Sequence, residues 1–249
     1  MQKHKLVYDG SFEGMLTAIF QVYEERLSEV IIVDTTHFEP DFFSETVEIY
    51  TDEHKASRVW EGLRQFKSFQ QLVYWSFLSE KEGRERYILA AIQYVLKTKN
   101  ENDFGHPAVL MLAQLTKKVG REKHRMEAFV RFKRTADDLY ASIICPDFNV
   151  LPLIAKHFKN RYADQQFLIF DSKRDFGLFY DLKKIEFVSF DFKSKEEFKE
   201  AMHEEENQYD LLWQNYFTST TIKSRINLRL HTQHVPKRYW KYLNEKNPL

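Results

Sequence analysis

The sequence of 249 residues lacks the features that mark several classes of protein. Its one cysteine, Cys145, excludes an internal disulfide and a zinc site built from several cysteines. Seven glycines and six prolines are too few for a low-complexity chain. No apolar run approaches the roughly 20 residues of a transmembrane helix, and the N-terminus has no apolar signal-peptide core. We therefore expect a folded, cytoplasmic protein.

The chain also has no net charge, because 37 Lys and Arg balance 37 Asp and Glu. The charges are nevertheless segregated along the chain. Acidic residues crowd residues 196–207, and basic residues crowd residues 117–134 and 223–243. Hydrophobic residues make up 43% of the chain and aromatic residues 16%, which is enough for a substantial core. The local charge pattern, rather than the net charge, therefore has to indicate the partner.

The N-terminal region predicts a strand, a tight turn at Asp9-Gly10 and a helix with Ser11 as its N-cap. The run "EVIIVD" (29–34) fits either a buried strand or the end of that helix. The run "ETVEIYTD" (45–52) alternates as a half-buried strand does. From Asp52 to about Ala128 the apolar spacing predicts four helices. A capping box at Ser68–Gln71 and Pro107 at a first helical position mark two of their starts.

At Val130 the apolar period changes to two, and the following elements read β-β-α-β-β-β. This order predicts an antiparallel sheet packed on a helix, so the expected class is α+β. Two more helical segments, 194–207 and 209–229, are expected in a basic C-terminal tail. We expect a single domain over 1–249 with a soft boundary near 128–130. Residues 1–128 would then be mostly helical and 129–249 α+β.

The basic block at residues 223–243, "KSRINLRLHTQHVPKRYWKYL", contains no Asp or Glu. Phosphate groups of a nucleic acid would neutralise its Lys and Arg, and Tyr239 and Trp240 could stack on bases. Two other interpretations stay open: the aromatic residues anchor the tail while the cations remain in water, or the block docks on the acidic segment 196–207. The pair His231 and His234 has helical spacing for a metal, but no Cys or acidic residue nearby completes a ligand set.

The second basic segment is "KKVGREKHRMEAFVRFKR", residues 117–134. On a helix Lys117, Arg121 and either His124 or Arg125 share one stripe. Glu122 and Glu127 could pair with Arg125, Arg131 or Lys123 and weaken the positive field. A solvated helix end with favourable C-terminal charges is the alternative.

Motifs that carry known chemistry are not found in the sequence. There is no glycine-rich phosphate loop, no G-x-S-x-G nucleophile elbow and no H-E-x-x-H zinc motif. Asp9, Glu13, His124 and Glu127 remain candidate acid–base groups without an assigned role. We assign no catalytic residue, and we predict no metal and no cofactor.

Four stretches of the chain together resemble a bacterial family of uncharacterised proteins that are assigned to DNA metabolism, over essentially the whole length. They are "YDGSFEGMLTAIF", "VGREKHRMEAFVRF", "PDFNVLPLIAKHFKNRYADQQFLIFD" and "HVPKRYWKYL". In that family the domain occurs alone, beside a radical-SAM protein similar to photoproduct lyases, or fused to a uracil-DNA-glycosylase-like domain. Relatives often have Asn-Pro-Arg where this chain has Asn227-Leu228-Arg229. The resemblance implies the stand-alone form and a role in DNA repair or modification.

These observations lead us to expect an accessory DNA-binding protein that works with a separately encoded radical-SAM or glycosylase-type enzyme. The alternatives are an enzyme acting on damaged or modified bases and a protein-interaction adaptor that never contacts nucleic acid. The expected contacts are to the DNA backbone, without sequence preference. The predicted interface residues are Arg121, His124, Arg125, Arg131, Arg225, Arg229, His234, Lys237, Arg238, Tyr239 and Trp240.

Overall fold

The computed structural model describes residues 3–40, 44–135, 138–189, 232 and 235–243. The chain divides into two compact units, Met1–Gly120 and Arg121–Leu249. In sequence this division falls inside a long helix, N-terminal to the position where the apolar period changes. Each unit contains its own β-sheet.

Helices and strands are both present, so the predicted α+β class is confirmed. The described helices are α1 (Phe12–Glu24), α2 (Glu53–Gly62), α3 (Lys67–Phe77), α4 (Arg84–Thr98), α5 (Pro107–Phe129) and α6 (Leu151–Arg161). The described strands are β1 (Lys3–Tyr8), β2 (Val30–Asp34), β3 (Ser44–Ile49), β4 (Lys133–Arg134), β5 (Tyr140–Ile144), β6 (Phe167–Asp171), β7 (Phe176–Tyr180) and β8 (Ile185–Ser189).

The sheet of the first unit is parallel, with β1 between β2 and β3. The run "EVIIVD" therefore forms a strand and not a helix end. Gly10, with a φ of +83°, makes the turn after β1, a conformation that glycine adopts without strain. The Ser11 side chain accepts a hydrogen bond from the Gly14 amide at 2.9 Å, which confirms the predicted N-cap of α1.

Four helices follow the parallel sheet, as predicted from residue 52 onward. Pro107 begins α5, in agreement with the sequence, but the capping box at Ser68 is wrong. Helix α3 begins at Lys67, one residue before that serine, so Ser68 lies inside the first turn. The Phe69 amide of that turn donates instead to the Glu101 carboxylate at 3.0 Å. A distant acidic side chain thus replaces the local cap that the sequence predicts.

The sheet of the second unit has the order β4-β5-β6-β7-β8. Its element order agrees with the predicted β-β-α-β-β-β, but the expectation of an antiparallel sheet is wrong for one pair. Strands β5 and β6 are parallel because α6 carries the chain back across the sheet between them. Strand β6 is buried along its whole length, which explains its continuous apolar sequence.

The predicted tail helices at 194–207 and 209–229 lie outside the described residues. The described end of the tail is a short 3₁₀ helix, Lys237–Tyr242, which follows Pro236. Tyr239 and Leu243 are buried there, so this part of the tail packs on its unit. Within the described ranges, no helix has both the length and the apolar composition that crossing a membrane requires.

Candidate nucleic-acid interface

Glu122 on α5 lies at the centre of the polar contacts of the second unit. Only 1% of this residue is exposed. Its carboxylate accepts hydrogen bonds from the Asp147 amide at 2.8 Å and from the hydroxyl of Tyr239. Arg238 Nη2 donates to the same carboxylate at 3.3 Å. Because a buried carboxylate needs such partners, Glu122 fixes the 3₁₀ helix against α5.

Two predicted cations from distant parts of the sequence meet at this carboxylate. Arg125, one turn after Glu122 on α5, places Nη1 3.5 Å from it, which confirms the local pairing that the sequence allows. Arg238 also lies 2.6 Å from the Asp147 carboxylate. Burial would lower the pKa of Arg238, but Tyr239, Glu122 and Asp147 outweigh that effect and raise it. The two basic segments therefore converge here, although their cations are not left free of internal carboxylates.

Tyr239 anchors the 3₁₀ helix, and its ring is not open to a base. The residue is 2% exposed, and its ring centre lies 5.5 Å from that of Phe129. Burial, strengthened by the hydrogen bond to Glu122, raises the pKa of the Tyr239 hydroxyl. Trp240 is half-buried, and its indole N–H donates to the Val235 carbonyl at 3.0 Å. Of the two roles that the sequence allows for these aromatic residues, the structure gives Tyr239 the anchoring one.

The remaining predicted interface residues are distributed unevenly. Lys237 is exposed on the 3₁₀ helix, and its Nζ lies 6.0 Å from the Trp240 ring centre. Arg121 and His124 are exposed on α5. The Arg131 guanidinium donates to the Ala128 carbonyl at 2.7 Å. Arg225, Arg229 and His234 lie outside the described residues.

Sequence reasoning missed two cations in the turn between β6 and β7. Lys173 Nζ donates to the Asp147 carbonyl at 2.9 Å, and Arg174 Nη2 donates to the same oxygen at 3.1 Å. Arg174 also pairs with the buried Asp171 at 2.7 Å. The basic pair in the turn "DSKRD" is visible in the sequence. It indicates a position near Asp147 only if β5 and β6 are parallel, because the carboxyl ends of parallel strands lie at one edge of the sheet.

We use the term Asp147 cluster for the cations that surround Glu122, Asp147 and Asp171, together with the exposed lysines of the 3₁₀ helix. Lys241 belongs to it as an exposed lysine of the 3₁₀ helix. The six cations outnumber the four carboxylates of Glu122, Asp147, Asp171 and Asp175, the last of which ends the same turn as Lys173 and Arg174. The members are Arg125, Lys173, Arg174, Lys237, Arg238 and Lys241.

A family described as a domain of unknown function, DUF4130, matches residues 82–245. The chain belongs to this family. Every member of the Asp147 cluster lies within the matched range. Among curated proteins, none matches the sequence of this chain.

A solved structure of a pGpG-specific phosphodiesterase, PggH from Vibrio cholerae, is similar to this DUF4130 chain at the level of the backbone. The match covers 72% of this chain and 81% of the other, with 10% sequence identity and a TM-score of 0.38. A likeness this distant carries no argument about function.

Proposed function

We propose that this protein is an accessory DNA-binding protein in DNA repair or modification, and that it works with a separately encoded radical-SAM or glycosylase-type enzyme. The observation that supports the proposal is the convergence of Arg125 and Arg238 on Glu122. Cations from two segments of the sequence share one surface there. The family resemblance supplies the connection to DNA and to the partner enzyme.

The internal ion pairs of Arg238 leave donors for a phosphate. In the described part of the chain, its contacts with Glu122, Asp147 and Tyr239 all use Nη2. A guanidinium carries five N–H donors, so those on Nη1 and Nε can still bind another acceptor. The side chain is 44% exposed. The carboxylates therefore orient Arg238 without using all of its donors. The N–H groups on Nη1 and Nε can bind a phosphate.

Arg125 has a similar arrangement at the same carboxylate oxygen, Oε2 of Glu122. Its contact with Glu122 uses Nη1 at 3.5 Å, and 28% of its side chain is exposed. The exposed Lys173, Lys237 and Lys241 extend the cationic surface. Contacts of this kind position a DNA backbone and carry no sequence information.

The proposal is tested with the double variant Lys237→Gln, Lys241→Gln. Both lysines are exposed, so the substitutions remove charge without disturbing the buried contacts of Glu122. For each lost phosphate contact, the slope of log affinity against log salt flattens by about 0.9 on duplex DNA and about 0.7 on single strands. The double variant is therefore expected to flatten the duplex slope by about 1.8 in fluorescence-anisotropy titrations.

The matched control is Lys67→Gln, Lys97→Gln, which removes two exposed lysines from the first unit. Its slope is expected to equal that of the wild-type protein. Equal slopes for the two double variants would contradict DNA binding through the Asp147 cluster, as would a wild-type affinity that does not depend on salt.

A further inference from the structure

The carboxyl edge of the parallel sheet in the first unit carries a second ionic cluster, which plays no part in the proposed DNA binding. Tyr8 ends β1 and Asp34 ends β2, and the two residues are partners in the strand register. The first turn of α4 contributes Arg84 and Glu85, each 4% exposed. Charged side chains at this depth are rare unless they are paired.

Arg84 holds the buried part of this cluster together. Its Nη2 lies 3.5 Å from the Asp34 carboxylate, and its Nε lies 3.2 Å from that of Glu85. Tyr8 donates to Glu85 at 2.8 Å. The guanidinium carbon lies 4.9 Å from the Phe77 ring centre. One buried cation thus faces two carboxylates, so the buried part of the cluster carries a net negative charge.

His37 contacts this cluster from the solvent side. Its Nδ1 lies 2.8 Å from Asp34 Oδ1 and 3.0 Å from Oδ2. An ionised carboxylate only accepts hydrogen bonds, so Nδ1 carries the proton and Nε2 holds the lone pair of the neutral ring. The His37 side chain is 45% exposed, whereas that of Asp34 is only 6% exposed. The imidazole of His37 is therefore partly exposed to solvent, while its Nδ1 is held by the buried carboxylate of Asp34.

Asp34 is well suited to hold that imidazole. Burial alone would raise the pKa of its carboxyl, but hydrogen bonds from Thr36 and His37 outweigh burial and lower it. The Thr36 hydroxyl donates at 2.6 Å, and the amides of Thr36 and His37 donate at 3.0 and 2.9 Å. An ordinary turn accounts for the amide contacts alone. It does not account for the ring contact or for the guanidinium that is buried behind the carboxylate.

The position in the fold favours chemistry at this place. In open parallel sheets, ligands bind outside the carboxyl ends of the strands, where the connections change direction. Here the chain moves from β1 to β2 on one side and then to β3 on the other. The turn after β1 lies against Asp34, because a Cβ atom added at Gly10 would lie 3.9 Å from the Asp34 Cβ.

We propose that His37 is a catalytic proton-transfer residue at this edge of the sheet, with Asp34 as the residue that positions it, in the hydrolysis of a neutral ester or amide. His37 Nε2 accepts a proton from water while the water oxygen forms a bond to the carbonyl carbon. The bond from that carbon to the leaving oxygen or nitrogen then breaks, and the leaving group takes the proton from Nε2. Asp34 stabilises the imidazolium that exists between the two steps.

The neighbouring charges select the substrate class. Asp9, directly after β1, is exposed, and its carboxylate accepts from Ser11 and from Thr51 at 2.8 Å. Burial would raise the pKa of Asp9, but these hydrogen bonds outweigh burial and lower it. The carboxyl edge of the sheet therefore carries two ionised carboxylates, those of Asp34 and Asp9. They repel an anionic phosphate ester and tolerate an uncharged carbonyl.

The test uses p-nitrophenyl acetate as a neutral ester and the full-length protein as the catalyst. His37→Gln is expected to lower the protein-dependent rate at least about a hundredfold, the lower end of what a positioned base contributes. His54→Gln, an exposed histidine on α2, serves as the control and is expected to keep the wild-type rate. A rate that is unchanged in His37→Gln would overturn the proposal.

The role of Asp34 is tested by determining which ring nitrogen of His37 carries the proton. A purely structural role of Asp34 would not require one particular tautomer. In ¹⁵N spectra of the wild-type protein, the neutral ring is expected to carry its proton on Nδ1. In Asp34→Asn the preference for that tautomer and the ester hydrolysis are expected to fall together. A wild-type ring protonated on Nε2 would overturn the proposal even if the Asn variant fails to fold.

Discussion

Glu122 shows how one buried carboxylate joins segments that are distant in the sequence. It accepts hydrogen bonds from the loop after β5 and from the C-terminal 3₁₀ helix, and it pairs with Arg125 on its own helix. The sequence indicates the pairing with Arg125, because residues three apart on a helix are neighbours. It does not indicate the contact with Arg238, which depends on where the tail returns to the sheet.

Replacing this carboxylate tests its structural role. Glu122→Gln keeps the shape of the side chain and removes its charge, so contacts to two arginines, one hydroxyl and one amide weaken together. We expect the free energy of unfolding to fall by about 1.5–3 kcal/mol in urea titrations, the range for hydrogen bonds to charged groups.

Glu127→Gln is the matched control on the same helix. Glu127 pairs with Lys123 at 2.5 Å, and its side chain is 17% exposed, whereas that of Glu122 is 1% exposed. Because such pairs contribute little, the loss is expected to stay below about 1 kcal/mol. Equal losses in the two variants would contradict the central position of Glu122.

Among the elements, α1 is the one whose start depends most on close packing. A Cβ atom at Gly14 would lie 2.3 Å from Asp9 Oδ1 and 2.9 Å from both the Ser11 and Thr51 hydroxyls. These are the atoms that hold the turn after β1 in place. Position 14 therefore requires a glycine because the side chains of the turn after β1 lie too close for a Cβ atom, and not because of the backbone conformation of Gly14.

The pair of variants Gly14→Ala and Gly62→Ala separates this contact from helix propensity. Gly62 ends α2 and has no atom within 4 Å of an added Cβ. Gly62→Ala is expected to leave stability unchanged or raise it by up to about 1 kcal/mol. Gly14→Ala is expected to lower it by about 1–3 kcal/mol, as overpacking does. Thermal unfolding followed by circular dichroism checks both, and a gain in both variants would contradict the packing argument.

Short-range sequence signals predict the starts of helices where the start depends on residues within one turn. Ser11 and Pro107 mark helix starts in the sequence and in the structure because their effects act within one turn. The parallel pairing of β5 and β6 could not be predicted the same way. Short apolar strands look alike in either direction, and the direction follows from how α6 packs across the sheet.

The acid–base pair at the end of β2 was missed for a related reason. The run "EVIIVD" predicted a strand as one of two alternatives, and only the strand places Asp34 at a carboxyl edge. A signal was present, because "DTTH" puts a histidine three residues after a strand-ending aspartate. It becomes informative once the parallel order of β2, β1 and β3 is known.

For the whole molecule, a net charge of zero conceals a local excess of cations. The 37 basic and 37 acidic residues balance, yet the surface around Asp147 gathers lysines and arginines from α5, the β6–β7 turn and the C-terminal 3₁₀ helix. The matched family range, 82–245, contains that surface, whereas Asp34 and His37 precede it. The two proposals therefore rest on different parts of the chain and can fail separately.

The most direct measurement is a lysine footprint of the protein with and without saturating duplex DNA at low salt, using reductive methylation and mass spectrometry. We predict that DNA slows the modification of Lys173, Lys237 and Lys241 several-fold. Lys67 and Lys97 in the first unit are expected to react at the same rate in both samples. Modification that DNA leaves unchanged at all three lysines, or protection confined to Lys67 and Lys97, would contradict a DNA-binding surface at Asp147.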